Sequence, residues 1–423
     1  MHWKPSKVFY GWWIVSGCLI LGLFSGVYHY GFTAMFEPIA DELGWSYTQI
    51  SFGVSLSAVE SGILGPVAGI LADRWGPRRL IFGGVIISTV GLLLLSRATS
   101  LAMFYGGFAV MGIGSSFTIF PVQLTAVANW FRRKIGIANG IAVSGIGFGG
   151  FLVPVVVGLI DMYDWRMTLV ILALGMLVLR LPASLLFRHK PEQYGYLPDG
   201  QAEVPVTVDK QPSRSQAVEV DVKTKQAIKS STFWLIGLGF IYTFIVTNAI
   251  AYHVMPYLSS IGIARSASSL VATAIPVISI GGRFGLGWLG DKLDKRLVTA
   301  GTFAMLGLGT LCFAYVSSAG TWLLVLFLIL YGIGYGGSIT LRPSLVREYF
   351  GRSKFGTLFG LTTGIAWIGN MTGPVLAGWA YDNWGTYQGI WFIFAGLSIP
   401  ALIAILAIRP IRTAVKLADK ASP

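Results

Sequence analysis

Residues 69–79 read GILADRWGPRR, and residues 287–296 read GWLGDKLDKR. Each stretch starts at a glycine near the end of an apolar run, carries an aspartate four residues later, and continues into basic residues. An acid at a helix end that faces basic residues across a tight turn forms a charged latch, which can favour one of two conformations by about 1–3 kcal/mol. We therefore predict a gating latch in each copy, formed by Asp73, Arg74, Asp291 and Lys292.

The apolar runs around these loops are long enough to cross a membrane. A transmembrane helix needs about 20 mostly apolar residues, whereas strands of a membrane barrel are shorter and alternate in polarity. With 54% apolar and 12% charged residues, the chain lacks the polar surface of a soluble protein of 423 residues. We expect an all-α membrane protein with twelve transmembrane helices, near residues 10–36, 49–71, 79–97, 101–127, 136–160, 167–187, 232–258, 268–290, 297–317, 321–346, 356–380 and 387–408.

The twelve runs form two sets of six. Between them lies a long hydrophilic stretch with prolines, scattered charges and no helical periodicity, as is typical of linkers. We predict an N-terminal six-helix bundle over residues 1–187, a cytoplasmic linker over 188–230 and a C-terminal six-helix bundle over 231–423.

The basic residues predict the orientation. If both termini and the even-numbered loops share one side, all but six of the 31 Lys and Arg residues lie there; the exceptions are Arg97, Arg166, Arg265, Arg180, Arg283 and Arg342. Because basic residues accumulate on the cytoplasmic side, we expect both termini to be cytoplasmic in a multi-pass protein of the cell inner membrane. Topology thus accounts for the net charge of +13, and we expect no nucleic-acid partner.

The two halves repeat each other. Span 5 and span 11 share five residues at an offset of 220: Gly136, Gly140, Gly149, Pro154 and Gly158 match Gly356, Gly360, Gly369, Pro374 and Gly378. Equivalent positions in two six-helix units indicate parallel repeats, as in transporters built from two such halves. Small residues at these positions let neighbouring helices approach closely.

Three motifs carry a family resemblance. The loop at residues 69–79 resembles the signature loop of the major facilitator superfamily, and WFRRKIGIANGIAVSG at 130–145 resembles a signature of the monocarboxylate transporter family. YGWW at 10–13 is similar to that family's first-helix motif. The resemblance covers essentially the whole chain and is strongest to bacterial members, lactate transporters. It implies the major facilitator fold and secondary transport by alternating access, without enzymatic activity or a cofactor.

Arg283 is the leading candidate for binding the substrate. It lies eight residues before Asp291, about 12 Å along a helix, and an arginine at that depth is costly unless it faces a cavity or a partner. Its planar guanidinium suits a carboxylate, although a structural ion pair is the alternative role. Ser279, one turn earlier, shares its helix face and could donate to the same anion. In the resemblance, Arg283 matches the family's arginine and Ser279 replaces an aspartate.

Aromatic and amide side chains at comparable depth are candidates for the cavity walls, although packing is the commoner role of aromatic residues. They are Tyr30, Tyr331, Phe148, Asn248, Gln123 and Trp367, with Tyr28 beside them. Tyr30 stands where animal members of the family carry a lysine. A single central cation, Arg283, favours lactate- or pyruvate-like anions over oxalate.

Glu60, His253 and His29 are the candidates for carrying a proton. A carboxyl group in apolar surroundings favours its neutral form, and histidine titrates near neutral pH. The alternatives are a permanent ion pair of Glu60 with an arginine such as Arg342, and a hydrogen-bonded packing role for each histidine.

Together with the resemblance, which implies a substrate such as L-lactate, these residues predict proton symport of a small monocarboxylate. Binding a monocarboxylate neutralises Arg283, and Glu60 can compensate that charge when the carrier returns empty. A carboxylate exchanger of the oxalate/formate type is the alternative, because it never returns empty and needs no such acid. The expected partners are the substrate, protons and the lipid bilayer; we expect no metal, and the carrier is expected to act as a monomer.

Overall fold

The computed structural model describes residues 9–118, 120–131, 135–196, 224–351 and 355–409. The chain divides into two compact units: unit 1 comprises Met1–Trp45 and Gly53–Val208, and unit 2 comprises Ser46–Phe52 and Asp209–Pro423. Most of the predicted linker lies outside the described residues, so the boundaries at residues 187 and 231 stay a prediction.

The helices of the first half follow the predicted spans. They are α1 (Gly11–Gly31), α2 (Phe36–Leu43), α3 (Tyr47–Trp75), α4 (Pro77–Ser96), α5 (Leu101–Ser116), α6 (Phe120–Trp130), α7 (Ile135–Gly149), α8 (Val153–Gly175) and α9 (Leu181–Ser184). Short 3₁₀ segments, Phe32–Met35 and Gly150–Leu152, join α1 to α2 and α7 to α8, and a π-helical turn, Met176–Arg180, joins α8 to α9.

The second half is built in the same way. Its helices are α10 (Thr224–Lys229), α11 (Ser231–Ser260), α12 (Arg265–Lys292), α13 (Lys295–Ala319), α14 (Leu323–Phe350), α15 (Phe355–Trp384), α16 (Gln388–Gly396) and α17 (Ser398–Leu406). Every regular element in the described ranges is helical, and each of the twelve predicted spans overlaps helices of this set. By length and composition, eight helical stretches of the described chain could cross a membrane. The predicted all-α membrane fold is confirmed.

The boundary between predicted spans 5 and 6 is a single residue rather than a loop. Helical backbone continues on both sides of Asp164, which alone has non-helical angles (φ 72°, ψ 170°). Its carboxylate accepts a hydrogen bond from the Met167 amide at 2.8 Å, so Asp164 caps the helix that follows it. For this reason Ile137–Ser184 forms one 48-residue apolar stretch that covers two predicted spans.

The sequence repeat is visible in the helix packing of each unit. In unit 1, α1 packs against α7 and α4 against α5; in unit 2, the equivalent pairs are α11 with α15 and α13 with α14. Gly149 lies against the Leu23 carbonyl of α1, and its repeat partner Gly369 lies against the Ile241 carbonyl of α11. A side chain at either glycine would collide with the neighbouring backbone.

The first turn of α3 is capped by α15 within unit 2. Asp382 accepts hydrogen bonds from the backbone amides of Tyr47 at 3.0 Å and Thr48 at 2.7 Å. The Tyr47 ring stacks on Tyr381 with centroids 4.9 Å apart. A carboxylate at a helix N-terminus satisfies amides that have no partner within the helix.

We predict that Gly369→Ala destabilises the protein by about 1–3 kcal/mol, the usual cost of inserting a methyl group into a packed interface. The new methyl group would overlap the Ile241 carbonyl oxygen. Gly360→Ala on the same helix is the matched control, because no described heavy atom lies within 4 Å of that position. Thermal unfolding in detergent measures both variants, and equal midpoints would contradict the glycine contact.

Candidate functional site

Close backbone packing sets the depth of Arg283 in unit 2. Gly336 of α14 lies against the Ser279 carbonyl and the Arg283 amide of α12. The Thr340 hydroxyl is 3.4 Å from the Arg283 carbonyl oxygen. Arg283 is therefore level with residues 336–340 of α14.

The side chain of Arg283 is half-buried, and its Nε atom is buried without a hydrogen-bond partner among the described residues. Arg283 therefore forms no structural ion pair with the described residues, which was its alternative role. Ser279 differs from its predicted role, because its hydroxyl donates to the Pro276 carbonyl at 2.6 Å. A hydroxyl has one proton to donate, so the donor predicted for the substrate anion is already engaged within α12.

Arg342 is a second arginine of unit 2 with unpaired nitrogen atoms. Its guanidinium carbon lies 4.9 Å from the Phe244 ring centroid, 5.0 Å from that of Phe359 and 5.9 Å from that of Phe240. Its Nε and Nη1 atoms are buried and lack hydrogen-bond partners among the described residues.

Arg342 also lies close to the depth of Arg283. It follows Thr340 by two residues, which is about 3 Å along a helix, and Thr340 is level with Arg283. The sequence predicts a single central cation, Arg283. Helix packing, which cannot be read from a sequence, places Arg283 and Arg342 at nearly the same depth. The prediction of a single central cation is therefore wrong for unit 2.

Two of the predicted wall residues lie beside Phe244, one of the rings around Arg342. The Asn248 amide donates to the Phe244 carbonyl at 3.1 Å, and the Trp367 ring lies 6.2 Å from the Phe244 ring. Tyr331 is almost fully buried, with its hydroxyl 3.5 Å from the Thr247 carbonyl. Asn248 and Trp367 therefore accompany Phe244, whereas Tyr331 chiefly packs.

Helical spacing on α14 also reveals two candidate residues, Tyr335 and Ser338, that were not predicted from the sequence. Tyr331, Tyr335, Ser338 and Arg342 follow one another at intervals of four, three and four residues, which places them on one face of α14. The Tyr335 ring lies 6.3 Å from the Tyr331 ring. The spacing was visible in the sequence. Only the packing of α14, however, shows that this face carries an arginine at nearly the depth of Arg283.

The other predicted wall residues belong to unit 1. Tyr30 is almost fully buried and packs edge-on against His29, with ring centroids 5.0 Å apart. Gln123 is also buried, and its amide donates to the Thr118 carbonyl at 2.6 Å. Phe148 is exposed and stacks with Phe151 at 6.2 Å. Tyr30 and Gln123 therefore already have structural roles within this unit.

Glu60 is held against a glycine of the neighbouring helix. Its carboxylate on α3 occupies the position that a side chain on Gly112 of α5 would fill. Its Oε2 atom is buried and has no hydrogen-bond partner in the described ranges. The permanent ion pair considered for Glu60 is thus not formed within those ranges.

His253 is hydrogen-bonded through both ring nitrogens within unit 2. Nε2 lies 2.9 Å from the Pro374 carbonyl oxygen and 2.9 Å from the Ser51 hydroxyl, and Nδ1 lies 3.0 Å from the Tyr387 hydroxyl. Because a carbonyl only accepts, we assign the proton to Nε2 and let Nδ1 accept from Tyr387. This geometry favours the packing alternative for His253.

The predicted latch residues are exposed wherever their side chains are described. Arg74 lies in the last turn of α3 and is exposed, whereas the side chain of Asp73 lies outside the described residues. Asp291 and Lys292 are also exposed, and the Lys292 ammonium lies 4.1 Å from the centre of the Trp288 ring. The latch therefore stays a prediction.

Ion pairs of this region of unit 2 lie just beyond the predicted latch. Asp294 pairs with Arg296 at 2.9 Å, and Lys295 pairs with Glu348 at 2.7 Å. Hydrogen bonds from Arg296 hold the pKa of Asp294 below its usual value. Among the described residues, no group of His, Cys, Asp and Glu side chains could hold a metal ion.

Comparison with known proteins decides the family. The sequence profile of the Major Facilitator Superfamily matches residues 14–319 and 250–423. The chain belongs to the Major Facilitator Superfamily. As a member of this superfamily it is a multi-pass membrane transporter rather than an enzyme.

Relatives and solved structures agree with this assignment. Monocarboxylate transporter 12-B of Danio rerio is 27% identical over 96% of this chain and 88% of its own length. Monocarboxylate transporter 13 of Bos taurus is 26% identical over 96% and 91%. The crystal structure of a D-xylose–proton symporter superposes with a TM-score of 0.74 at 14% identity, covering 96% of this chain and 99% of that one. The structural likeness confirms the facilitator fold; the two relatives are vertebrate proteins, so the likeness to bacterial members stays a prediction.

Proposed function

We propose that this superfamily member carries small monocarboxylates, such as L-lactate, by proton symport and alternating access in the cell inner membrane, acting as a monomer. The observation that carries the proposal is the guanidinium of Arg283, whose Nε atom is buried and unpaired among the described residues of unit 2. The names of the two relatives, both monocarboxylate transporters, support the same substrate class.

The electrostatics of Arg283 favour an anionic substrate. An arginine within a membrane helix is costly unless a partner or water compensates its charge. A carboxylate matches the planar fork of a guanidinium with two parallel hydrogen bonds. A bound monocarboxylate would therefore supply the partner that the described residues do not.

Glu60 is our proposal for the proton site. It lies in unit 1 with Oε2 buried and unpaired among the described residues, surroundings in which a neutral carboxyl group is favoured. When an anion and a proton are both bound, their charges cancel, so the loaded and the empty carrier have the same net charge. That equality keeps the electrostatic cost of crossing the membrane similar in both states. His253 is less suited to this role because both of its nitrogens are hydrogen-bonded.

A carboxylate exchanger of the oxalate/formate type is the second candidate function. The observation that favours it is Arg342, a second arginine of unit 2 with unpaired buried nitrogens. With a second cation in unit 2, a single central charge no longer favours lactate-like anions over oxalate.

The role of Arg283 is tested by comparing Arg283→Lys with Arg283→Ala. We expect L-lactate affinity to fall by about tenfold or more in both, because lysine keeps the charge but loses the two-point fork. Isothermal titration of purified protein measures the affinity, and the thermal unfolding midpoint verifies folding. Near-normal L-lactate affinity in Arg283→Ala would remove Arg283 from the site.

Proton coupling is tested by L-lactate uptake into proteoliposomes with and without an inward proton gradient. We expect the gradient to drive uptake in the wild type and Glu60→Gln to abolish that drive, since an amide does not take up a proton at neutral pH. Uptake that ignores the gradient but requires internal carboxylate would support the exchanger instead. Gradient-driven uptake that survives in Glu60→Gln would keep symport and transfer the proton site to His29 or His253.

A further inference from the structure

Three phenylalanine rings surround the guanidinium of Arg342. Phe240 and Phe244 come from α11 and Phe359 comes from α15, with ring centroids 4.9–5.9 Å from the guanidinium carbon. Aromatic faces attract a cation within about 6 Å. They provide no acceptor for its N–H groups, and the Nε and Nη1 atoms are buried without hydrogen-bond partners among the described residues.

The guanidinium of Arg342 in this setting favours binding of an anion. Cation–π contacts do not replace the hydrogen bonds that a guanidinium makes to water, and removing a charge from water is costly without a charged partner. The described residues supply no such partner for Nε or Nη1 of Arg342. A carboxylate is the anion whose geometry fits the N–H edge of an arginine.

The environment of Arg342 differs from that of Arg283. Gly336 marks the face of α14 that touches α12 at Arg283. Arg342 follows Gly336 by six residues, and at about 100° per residue it lies roughly 240° around the helix. Its contacts are accordingly with rings of α11 and α15, so the two arginines lie on different sides of α14.

Aromatic groups around Arg342 indicate the kind of carboxylate that fits. Besides the three phenylalanine rings, Trp367 of α15 packs against Phe244 at 6.2 Å. A ligand whose carboxylate binds the N–H edge of Arg342 would place its body beside these rings. An apolar body gains from that contact, whereas a second carboxylate would lose its water there.

We propose that Arg342, Phe240, Phe244 and Phe359 form a second anion site of unit 2, separate from Arg283, which binds monocarboxylates with an apolar body. The inference rests on the proposed function in that it extends the substrates of the carrier from lactate-like acids to branched or aromatic acids. Arg342 binds the carboxylate, and the three rings hold the guanidinium and contact the body of the ligand.

The test is isothermal titration of the purified full-length protein with two probes, benzoate and L-lactate. In Arg342→Gln we expect benzoate affinity to fall by about tenfold or more, as for the loss of a charge-assisted hydrogen bond. L-Lactate affinity should stay within about twofold, because separate sites contribute independently. Arg342→Lys should bind benzoate with intermediate affinity, since it keeps the charge and loses the planar edge.

Two further variants control for packing. Phe359→Leu should weaken benzoate binding while leaving L-lactate binding unchanged, because it removes one ring and no charge. Arg180→Gln is the matched control. Arg180 is a buried arginine of unit 1 whose Nε atom is also unpaired, but its Nη2 atom donates to the Thr118 hydroxyl at 3.1 Å. The benzoate affinity of the Arg180→Gln variant should equal that of the wild type.

Several results would overturn the second site. They are the failure of the wild type to bind benzoate, unchanged benzoate affinity in Arg342→Gln, and an equal loss of affinity for benzoate and L-lactate in that variant. The proposed function fails differently, through normal L-lactate binding in the Arg283 variants. The two failures are therefore distinguishable in the same titrations.

Discussion

Contact between helix backbones at glycine is the interaction on which the candidate residues depend. Gly336 brings α14 against the Arg283 turn of α12, and Gly112 leaves the space that the Glu60 carboxylate occupies. Gly149 and Gly369 make the equivalent contact in the first helix pair of each unit. Helices in a membrane associate through van der Waals packing rather than through a hydrophobic driving force. A methyl group at these positions would therefore change the placement of the charged residues as well as the packing.

Buried charges without fixed partners distinguish a transport site from a structural ion pair. A structural pair keeps both charges satisfied at all times, whereas a carrier must exchange its ligand. Among the described residues, Arg283, Arg342 and Glu60 each have a buried polar atom without a hydrogen-bond partner. Arg180 also has an unpaired buried Nε atom, but its Nη1 and Nη2 atoms donate to Met176 and Thr118. His253, which is bonded through both nitrogens, shows the opposite arrangement. Mobile anions and protons can satisfy the first group, and this exchange is what coupled transport requires.

Much of the fold was predictable because membrane spans need long apolar runs and because the halves repeat. The sequence predicted twelve helical spans and the glycine pair Gly149 and Gly369. It did not predict that a single residue, Asp164, would separate two spans, since a side-chain cap can replace a loop. The site was less predictable than the fold. Arg283 and Glu60 were identifiable from the cost of charge in a membrane, but the engaged hydroxyl of Ser279 and the rings around Arg342 depend on which helix faces meet.

A structure of the carrier with L-lactate bound shows directly whether Arg283 binds the substrate. We expect the lactate carboxylate at Arg283, with N–H···O distances of about 2.7–2.9 Å, as in charge-assisted hydrogen bonds. The Nε atom of Arg283, which has no hydrogen-bond partner among the described residues, should then have the ligand as its partner. Lactate bound elsewhere, with Nε of Arg283 still lacking a partner, would contradict this role of Arg283.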